Sequence, residues 1–398
     1  MSYLALVDEK DFKDVYCVHL LLGPACNMDC RHCSQVPVKN NKIFSVVSPG
    51  VKQFLGQYID WAVNTKFVDK PQHIVKFYGG EPLLHWDLIK KIVLEYTEKY
   101  DILKNNNFRF LIISNGLLLS QEIVDFCNQY DVRFTLSYDA PNTFAVRGFV
   151  PDSVVDLFNK IKHRMVSCGF YACNTDYYTA YKCYAKKFPN TYVNLTFGLI
   201  LTFDVPKDVY DFDFNKVRND FKKLRIAIQL GKSKFLKMFV YRRISYLKNP
   251  QLNSYFLENN IKPCFSGKYH INVTLDGNIV SCHNCMEKVG TVYNSLEEIY
   301  QTCFDLFKKA ESNYCKHCEH RDVCTGGCYI SIRDEDGDFM HCKLFRRRIL
   351  TEFKSEMIKL SQPLSEEDKK WFEIEDKKSD EIVEKFMLPA TERVHLKL

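Results

Sequence analysis

Ten of the seventeen cysteines fall into two arrays that bracket the chain, and their spacings confine it to folds that can gather thiolates around metal. The first, Cys26-Asn-Met-Asp-Cys30-Arg-His-Cys33, sets three thiols at C-x3-C-x2-C directly after an apolar run. The second begins at Cys264, passes Gly277 and Cys282, continues as Cys315-x2-Cys318-x5-Cys324-x3-Cys328 and closes at Cys342. Thiolates hold iron–sulfur clusters, normally four to a 4Fe–4S cube. Three close cysteines leave one iron free of protein, as a cluster that binds a small molecule requires. Zinc is the alternative for C-x2-C pairs. It takes four ligands in compact pairs, and no fourth cysteine lies near Cys26–Cys33, although His32 could complete such a set.

At 398 residues the chain exceeds one average core, which predicts two domains or a large α/β barrel with an appendage. The start lacks a basic segment followed by a long apolar stretch, so a secreted disulfide framework does not fit. The cysteines read as reduced metal ligands in a cytoplasm. No run reaches the ~18 apolar residues of a membrane span. A net charge of +6 is mild over this length. It suits an acidic peptide or nucleotide ligand and does not argue for nucleic acid.

Strand and helix patterns alternate along the first half. Val15–Leu22, His73–Tyr78, Phe108–Ile113, Val132–Leu136 and Val193–Phe203 read as strands. Val51–Val63, Leu84–Tyr100, Gln121–Tyr130 and Ser153–Val166 read as helices. Such alternation predicts a parallel sheet, because parallel neighbours need crossover connections. Four motifs lie just past successive strand ends: the three-cysteine loop, Gly79-Gly80-Glu81-Pro82, Ser114-Asn115-Gly116 and Ser137-Tyr138-Asp139. Strand C-terminal ends are where α/β enzymes place their active sites, so the motifs converge on one mouth.

Each motif offers a contact. Gly79 and Gly80 let the backbone approach a ligand, and free carbonyls with Glu81 are expected to receive an ammonium group. Asn115, Ser137 and Asp139 add polar atoms for ribose hydroxyls or a ligand's polar end. Arg147 is suited to a carboxylate through its fixed fork of donors. Singly these are ordinary loop residues. Together, beside an incomplete cluster, they describe a pocket for a zwitterionic nucleoside.

Cys26, Cys30 and Cys33 after the first strand, with His32 before the third cysteine and Gly-Gly-Glu-Pro after the second strand, resemble the radical S-adenosylmethionine (radical SAM) superfamily. The resemblance implies a partial (β/α)6 TIM-type barrel, and a 4Fe–4S cluster whose open iron chelates S-adenosylmethionine. It also implies contacts from Gly79, Gly80 and Glu81 to the amino group, from His32 to adenine, and from Ser137 and Arg147 to ribose and carboxylate. The second array resembles the SPASM extension of that superfamily, which carries two auxiliary 4Fe–4S clusters. By position Cys315, Cys318, Cys324 and Cys342 would hold the outer one, and Cys264, Cys282 and Cys328 the inner one. Cys285 is the candidate fourth inner ligand, with His270 or His283 behind it; otherwise that iron is open. The implied organisation is a barrel at 1–230, a helical linker at 231–263, a SPASM domain at 264–345 and a helical C-terminal extension at 346–398.

The resemblance further implies an oxidoreductase that cleaves S-adenosylmethionine to a 5′-deoxyadenosyl radical and oxidatively modifies a ribosomally made precursor peptide or protein. The bond formed would be a thioether or another crosslink, or a dehydrogenation. An external electron donor of flavodoxin or ferredoxin type belongs to that chemistry. The nearest rival is formylglycine formation by an anaerobic sulfatase-maturating enzyme; there an aspartate usually follows the second SPASM cysteine, and here His283 does. No proton acceptor for the substrate is assignable. Only 25 residues precede Cys26, too few for a leader-binding module. A leader would be held by the tail, by a separate protein, or not at all.

Cys17, Cys127, Cys168, Cys173, Cys183 and Cys303 share no spacing and are expected mostly to pack as small hydrophobes. Tyr171–Tyr192, with six tyrosines, reads either as a substrate-facing surface or as aromatic core. Phe345–Leu360 is expected to be an amphipathic helix covering the clusters, with Trp371, Phe372 and Phe386 beyond it as an alternative docking surface. Three cubes predict roughly twelve irons in the reconstituted protein. Iron and sulfide analysis of the wild type and of Cys318→Ala, which is expected to lose about a third, checks the count.

Overall fold

The structure, a computed structural model, describes residues 12–33, 35, 46–65, 72–104, 106–195, 205–248, 267, 269–309, 318–320 and 333–393. The apolar run after Val15 forms β1 (Cys17–Leu21), buried along its length. From there the chain alternates through α1 (Pro49–Asn64), β2 (His73–Tyr78), α2 (Trp86–Tyr100), β3 (Phe108–Ser114), α3 (Gln121–Gln129) and β4 (Arg133–Ser137). It continues through α4 (Thr143–Val146), α5 (Asp152–Asn159), β5 (Arg164–Cys168), α6 (Tyr177–Lys187) and β6 (Tyr192–Leu195). Strands β1 to β6 lie side by side in chain order, all parallel. Local chemistry sets the helix starts. The hydroxyls of Ser48 and Ser120 accept from Val51 N and Ile123 N, each at 3.3 Å. Side chains alternate across the sheet: Val75 and Phe77 enter the main core with Phe54 and Ile89 of the helices, while Ile74, Lys76 and Tyr78 face the opposite, inner side.

One expected helix was too long. Val154, Val155, Phe158 and Ile161 keep helical spacing, but the helix ends at Asn159 and Arg164–Cys168 is strand β5. The amide of Asn128 holds the intervening turn, donating to Lys160 O at 3.0 Å and accepting from Lys162 N at 2.7 Å. Pairing with β4 then outweighs local periodicity. Strand β6 covers Tyr192–Leu195 of the expected Val193–Phe203; residues 196–204 lie outside the described residues. In the tyrosine-rich stretch Tyr177, Tyr178 and Tyr184 are buried, which supports the aromatic-core reading. Cys17, Cys127, Cys168, Cys183 and Cys303 are buried; Cys173 is exposed.

Beyond the barrel come α7 (Phe214–Gln229), α8 (Lys234–Lys248), β7 (His270–Thr274), β8 (Asn278–Val280), β9 (Lys288–Thr291) and α9 (Leu296–Lys309). Strand β7 pairs in parallel with the free edge of β1, His19 opposite Asn272, and β8 and β9 follow antiparallel. The second cysteine region thus continues the sheet of the first, in the order β6-β5-β4-β3-β2-β1-β7-β8-β9.

The tail packs on the barrel helices. After a π turn at Cys342–Arg346, α10 (Arg347–Met357) buries Ile349, Phe353 and Met357. Phe353 meets Phe221 of α7 edge-on at 5.4 Å, and Arg225 pairs with Glu356 at 2.9 Å, both nearly buried. The long α11 (Glu366–Phe386) crosses α6 and α7, with Phe372 against Tyr178 and Lys182 between Asp376 and Asp380. Phe386 is fully buried beside Tyr138, and Trp371 lies under the Lys222 ammonium at 4.5 Å. The aromatic residues considered for docking a partner are therefore spent on the barrel. Truncation after Leu360 is expected to give an aggregated protein without a cooperative melt, because it uncovers Tyr178 and strips Lys182 and Lys222 of their carboxylates. Size-exclusion chromatography and thermal unfolding check this; a soluble, folded truncation would contradict it.

Candidate active site

Where β1 runs out, the next residues are strapped to the exit of β2. Leu22 N donates to Tyr78 O at 2.9 Å, Gly80 N to Gly23 O at 2.9 Å and Glu81 N to Ala25 O at 2.7 Å. The straps demand glycine: Gly79 has φ 152°, and a Cβ on Gly79 or Gly80 would run into the backbone oxygens of Gly23 or of Pro24 and Ala25. Glu81 is 1% exposed, and its carboxylate accepts from Leu83 N at 2.9 Å, Ser114 Oγ at 2.7 Å and Asn115 N at 2.8 Å. Burial raises its pKa against the pull of these bonds. The expected ammonium receptor is instead spent on tying the exits of β2 and β3 together. Asn115 carries the tie onward, its amide donating to Asn27 Oδ1 at 2.8 Å and standing 3.9 Å from Cys26 Sγ.

Cys26, Cys30 and Cys33 are half-buried on the loop so held. Met28 N points at Cys26 Sγ at 3.4 Å. Burial pushes the Cys30 thiol up to about 11, against the nearby Arg147 charge, so metal must displace its proton. Among the described residues no three His, Cys, Asp or Glu side chains converge as a single ion requires. Half-buried thiols with N–H donors directed at sulfur fit a 4Fe–4S cube. Cys26, Cys30 and Cys33 would hold it.

Ser137 closes β4, and two residues on Asp139 is fully buried. Asp139 Oδ1 accepts from Gly169 N at 2.6 Å, and Oδ2 pairs with Arg147 Nε. Arg147 is thus anchored to Asp139 rather than standing alone. Its two terminal nitrogens make no hydrogen bond among the described residues, which leaves half of the fork for a second carboxylate. His32 stands 3.9 Å from Asp139 Oδ2 with its ring 4.3 Å from that of Tyr171, and its buried Nδ1 has no partner. Burial, then Arg147, lowers its pKa to about 4, so the ring is neutral. The structure brings His32, Asp139 and Arg147 together with Cys30; Gly79, Gly80, Glu81 and Asn115 frame the same loop.

Cys264, Cys315, Cys324 and Cys328 lie outside the described residues; Cys282, Cys285, Cys318 and Cys342 are half-buried. Cys282-His-Asn-Cys285 is a tight turn, with Asn284 N pointing at Cys282 Sγ at 3.4 Å and Cys285 N donating to Cys282 O at 3.3 Å. That turn abuts the first array. Gln35, just past Cys33, donates to His283 O at 3.2 Å, and the Tyr78 ring meets His283 at 4.5 Å. Burial pushes the Tyr78 phenol up to about 12, with smaller contributions from Cys282 and Cys33. Beside Cys318, His320 Nε2 lies 3.2 Å from Thr351 Oγ1, which ties this stretch to the helix that follows Cys342. A cavity of about 260 Å³ opens where the two halves meet, lined by Leu21, Gly23, Gly79, Thr274, His283 and Lys288 among others.

A parallel α/β sheet whose first strand ends on three thiols is suited to an enzyme that holds an iron–sulfur cluster with an open iron. Residues 20–173 match the model of the Radical SAM superfamily, so the chain carries a domain of that kind. The protein is an enzyme, and that domain implies S-adenosylmethionine and a 4Fe–4S cluster. The radical SAM cyclopropyl synthase TigE of Paramaledivibacter caminithermalis is 22% identical over 368 residues, 86% of this chain and 75% of the relative. Among solved structures, native anSMEcpe with bound AdoMet and the Cp18Cys peptide has a TM-score of 0.59 at 17% identity, covering 86% of this chain and 99% of that one. Streptococcus suis SuiB bound to its precursor peptide SuiA has a TM-score of 0.51 at 15% identity, covering 82% and 76%. These two likenesses concern the fold.

Sequence reasoning missed Tyr78, Tyr171 and an inner-face layer of His19, Lys76 and Asn272. Their signal was present: Lys76 and His19 alternate with buried apolar residues on strands that end at the motifs. His19 Nδ1 donates to Asn272 Oδ1 at 2.9 Å, and the rings of His270 and His283 lie 5.3 and 5.7 Å from that of His19. Burial and the Lys76 charge hold His19 well below its usual pKa and His270 at about 4. The unfolded chain then binds more protons than the folded one between pH ~6.5 and 4, so stability falls as pH falls through that window. At pH 5.5 each histidine is expected to remove about 1 kcal/mol relative to pH 7.5. Urea midpoints at the two pH values check this, and His270→Asn should shrink the loss.

Proposed function

We propose that this enzyme is a peptide maturase: it oxidatively modifies a ribosomally made peptide bound at the strand ends of its barrel. The observation that carries this reading is the abutment of the two cysteine regions. The Cys282–Cys285 turn is held against the Cys33 loop by Gln35 and Tyr78, on a strand that extends the barrel sheet. An arrangement of this kind suits removal of an electron from a substrate radical beside the place where the radical forms. The names of the relatives support the same reading: a cyclopropyl synthase, and two fold relatives solved with peptides bound.

When bound, S-adenosylmethionine and the first cluster supply a 5′-deoxyadenosyl radical that takes a hydrogen atom from the substrate. The chain's residues do the rest. Cys26, Cys30 and Cys33 hold the cluster, and the free half of the Arg147 fork receives the methionyl carboxylate. His32, kept neutral, offers an apolar ring face to adenine, and Ser137 a hydroxyl to ribose. Gly79 and Gly80 admit the amino end close to their backbone, with Glu81 and Asn115 fixing the frame. Cys282 and Cys285 would serve the inner auxiliary cluster with Cys264 and Cys328; Cys315, Cys318, Cys324 and Cys342 would serve the outer. An electron donor of flavodoxin or ferredoxin type would drive the cycle, and a separate protein would present any leader.

The test is anaerobic reconstitution with S-adenosylmethionine, a reductant and the short peptides encoded beside the gene. Formation of 5′-deoxyadenosine together with loss of hydrogen mass from one peptide is expected. Uncoupled cleavage with every peptide unchanged would sink the maturase reading. In Cys30→Ala, 5′-deoxyadenosine should fall at least a thousandfold, to background, while iron bound by the other cysteines persists.

A further inference from the structure

The inner face of the sheet carries a lysine with no counter-ion among the described residues. Lys76 on β2 is in register with His19 on β1, and His19 with Asn272 on β7, so the three side chains share one layer of that face. Leu21, Tyr78 and Thr274 form the next layer toward the strand ends, and Leu21 and Thr274 line the cavity of about 260 Å³. By strand rise the Lys76 layer lies roughly 7 Å deeper.

The lysine is aimed. Asn272 Nδ2 donates to Val280 O at 3.2 Å, which turns Oδ1 toward His19 Nδ1 at 2.9 Å. His19 therefore carries its proton on Nδ1 and presents the Nε2 lone pair, which accepts from Lys76 Nζ at 2.9 Å. Lys76 makes no other hydrogen bond or ion pair among the described residues, so two of its N–H donors have no acceptor among them. The titratable groups acting on one another around it there are His19, His270, His283 and Cys17, three imidazoles and a thiol with no carboxylate among them. A half-buried ammonium with one neutral partner is poorly compensated. An arriving carboxylate would supply both the charge and the missing acceptors.

We propose that Lys76, oriented by His19 and Asn272, binds a carboxylate of the substrate peptide, either an Asp or Glu side chain or the peptide's own C terminus. This rests on the peptide-maturase reading and adds its substrate class. The other carboxylate at hand, that of S-adenosylmethionine, has its own receptor in the free fork of Arg147 beside Cys30, past the end of β4 and two strands along the sheet from β2. Neutral imidazoles also suit the site, because an acidic neighbour would repel the ligand and a second cation would hold it without selectivity.

The experiment is affinity selection from a random synthetic dodecapeptide library, made with free and with amidated C termini, against reconstituted protein in the presence of S-adenosylmethionine. Peptides kept by the wild type should be enriched in Asp or Glu, or in free over amidated C termini. In Lys76→Met the enrichment should fall to the level of the library, and the affinity of a selected acidic peptide should drop tenfold or more. Lys76→Glu should turn the preference toward Lys and Arg. Acidic preference that survives in Lys76→Met, or peptides bound without any acidic preference, overturns the assignment while leaving the maturase reading intact. Failure of the wild type to retain any peptide overturns the maturase reading itself and this one with it. A tenfold loss of S-adenosylmethionine affinity in Lys76→Met, read by equilibrium dialysis, gives the carboxylate to the cofactor and also overturns the proposal.

Discussion

Two backbone hydrogen bonds, from Gly80 N to Gly23 O and from Glu81 N to Ala25 O, fasten the cysteine loop to the exit of the second strand, and the rest of the site is built outward from them. They form only because neither Gly79 nor Gly80 carries a Cβ. Once made, they set Glu81 in the core, where its carboxylate gathers Leu83, Ser114 and Asn115. Asn115 then reaches back to Asn27 and Cys26. A loop bearing three thiols is thus held at three points by strand exits, one of them through the side chain of Asn27. Its backbone is fixed around the thiols that would meet metal.

The same strand that ends at this loop also joins the two cysteine regions. β1 has β2 on one edge and β7 on the other, in parallel pairing on both sides. A continuous sheet fixes distances better than a hinge between two domains, because each register pair constrains the next. Tyr78 ends β2 with its ring against His283 at 4.5 Å, and the cavity at this junction is walled by residues of both regions. The tail completes the scaffold from outside. Its carboxylates meet Lys182, Lys222, Lys223 and Arg225 on α6 and α7, so the helices that back the last strands cannot splay.

Much of the fold was legible because its signals are local. Strands His73–Tyr78 and Phe108–Ser114 are apolar runs bounded by turn residues, and helices α1 and α3 open on Ser48 and Ser120. The strand at Arg164–Cys168 was not legible, since Met165, Val166 and Ile161 prolong the helical spacing of α5 and only the edge of β4 decides otherwise. Candidate residues were found wherever a motif follows a strand. What those residues do with their polar atoms was not readable: Glu81 looked like a ligand and became a clamp, and Asp139 and Arg147, eight positions apart, became one buried pair.

The sequence by itself determined the chemistry of this protein, because cysteine spacing, strand-end motifs and alternating periodicity are properties of neighbours along the chain. It determined that three thiols sit after a first strand, that glycines follow the second, and that an α/β sheet carries both. Tertiary structure alone decided which polar groups are consumed and which remain open. His19, Lys76 and Asn272 are separated by up to 253 residues, and no local pattern links them. They meet because β7 chose the free edge of β1, a pairing set by long-range register and burial rather than by anything written within reach of either strand.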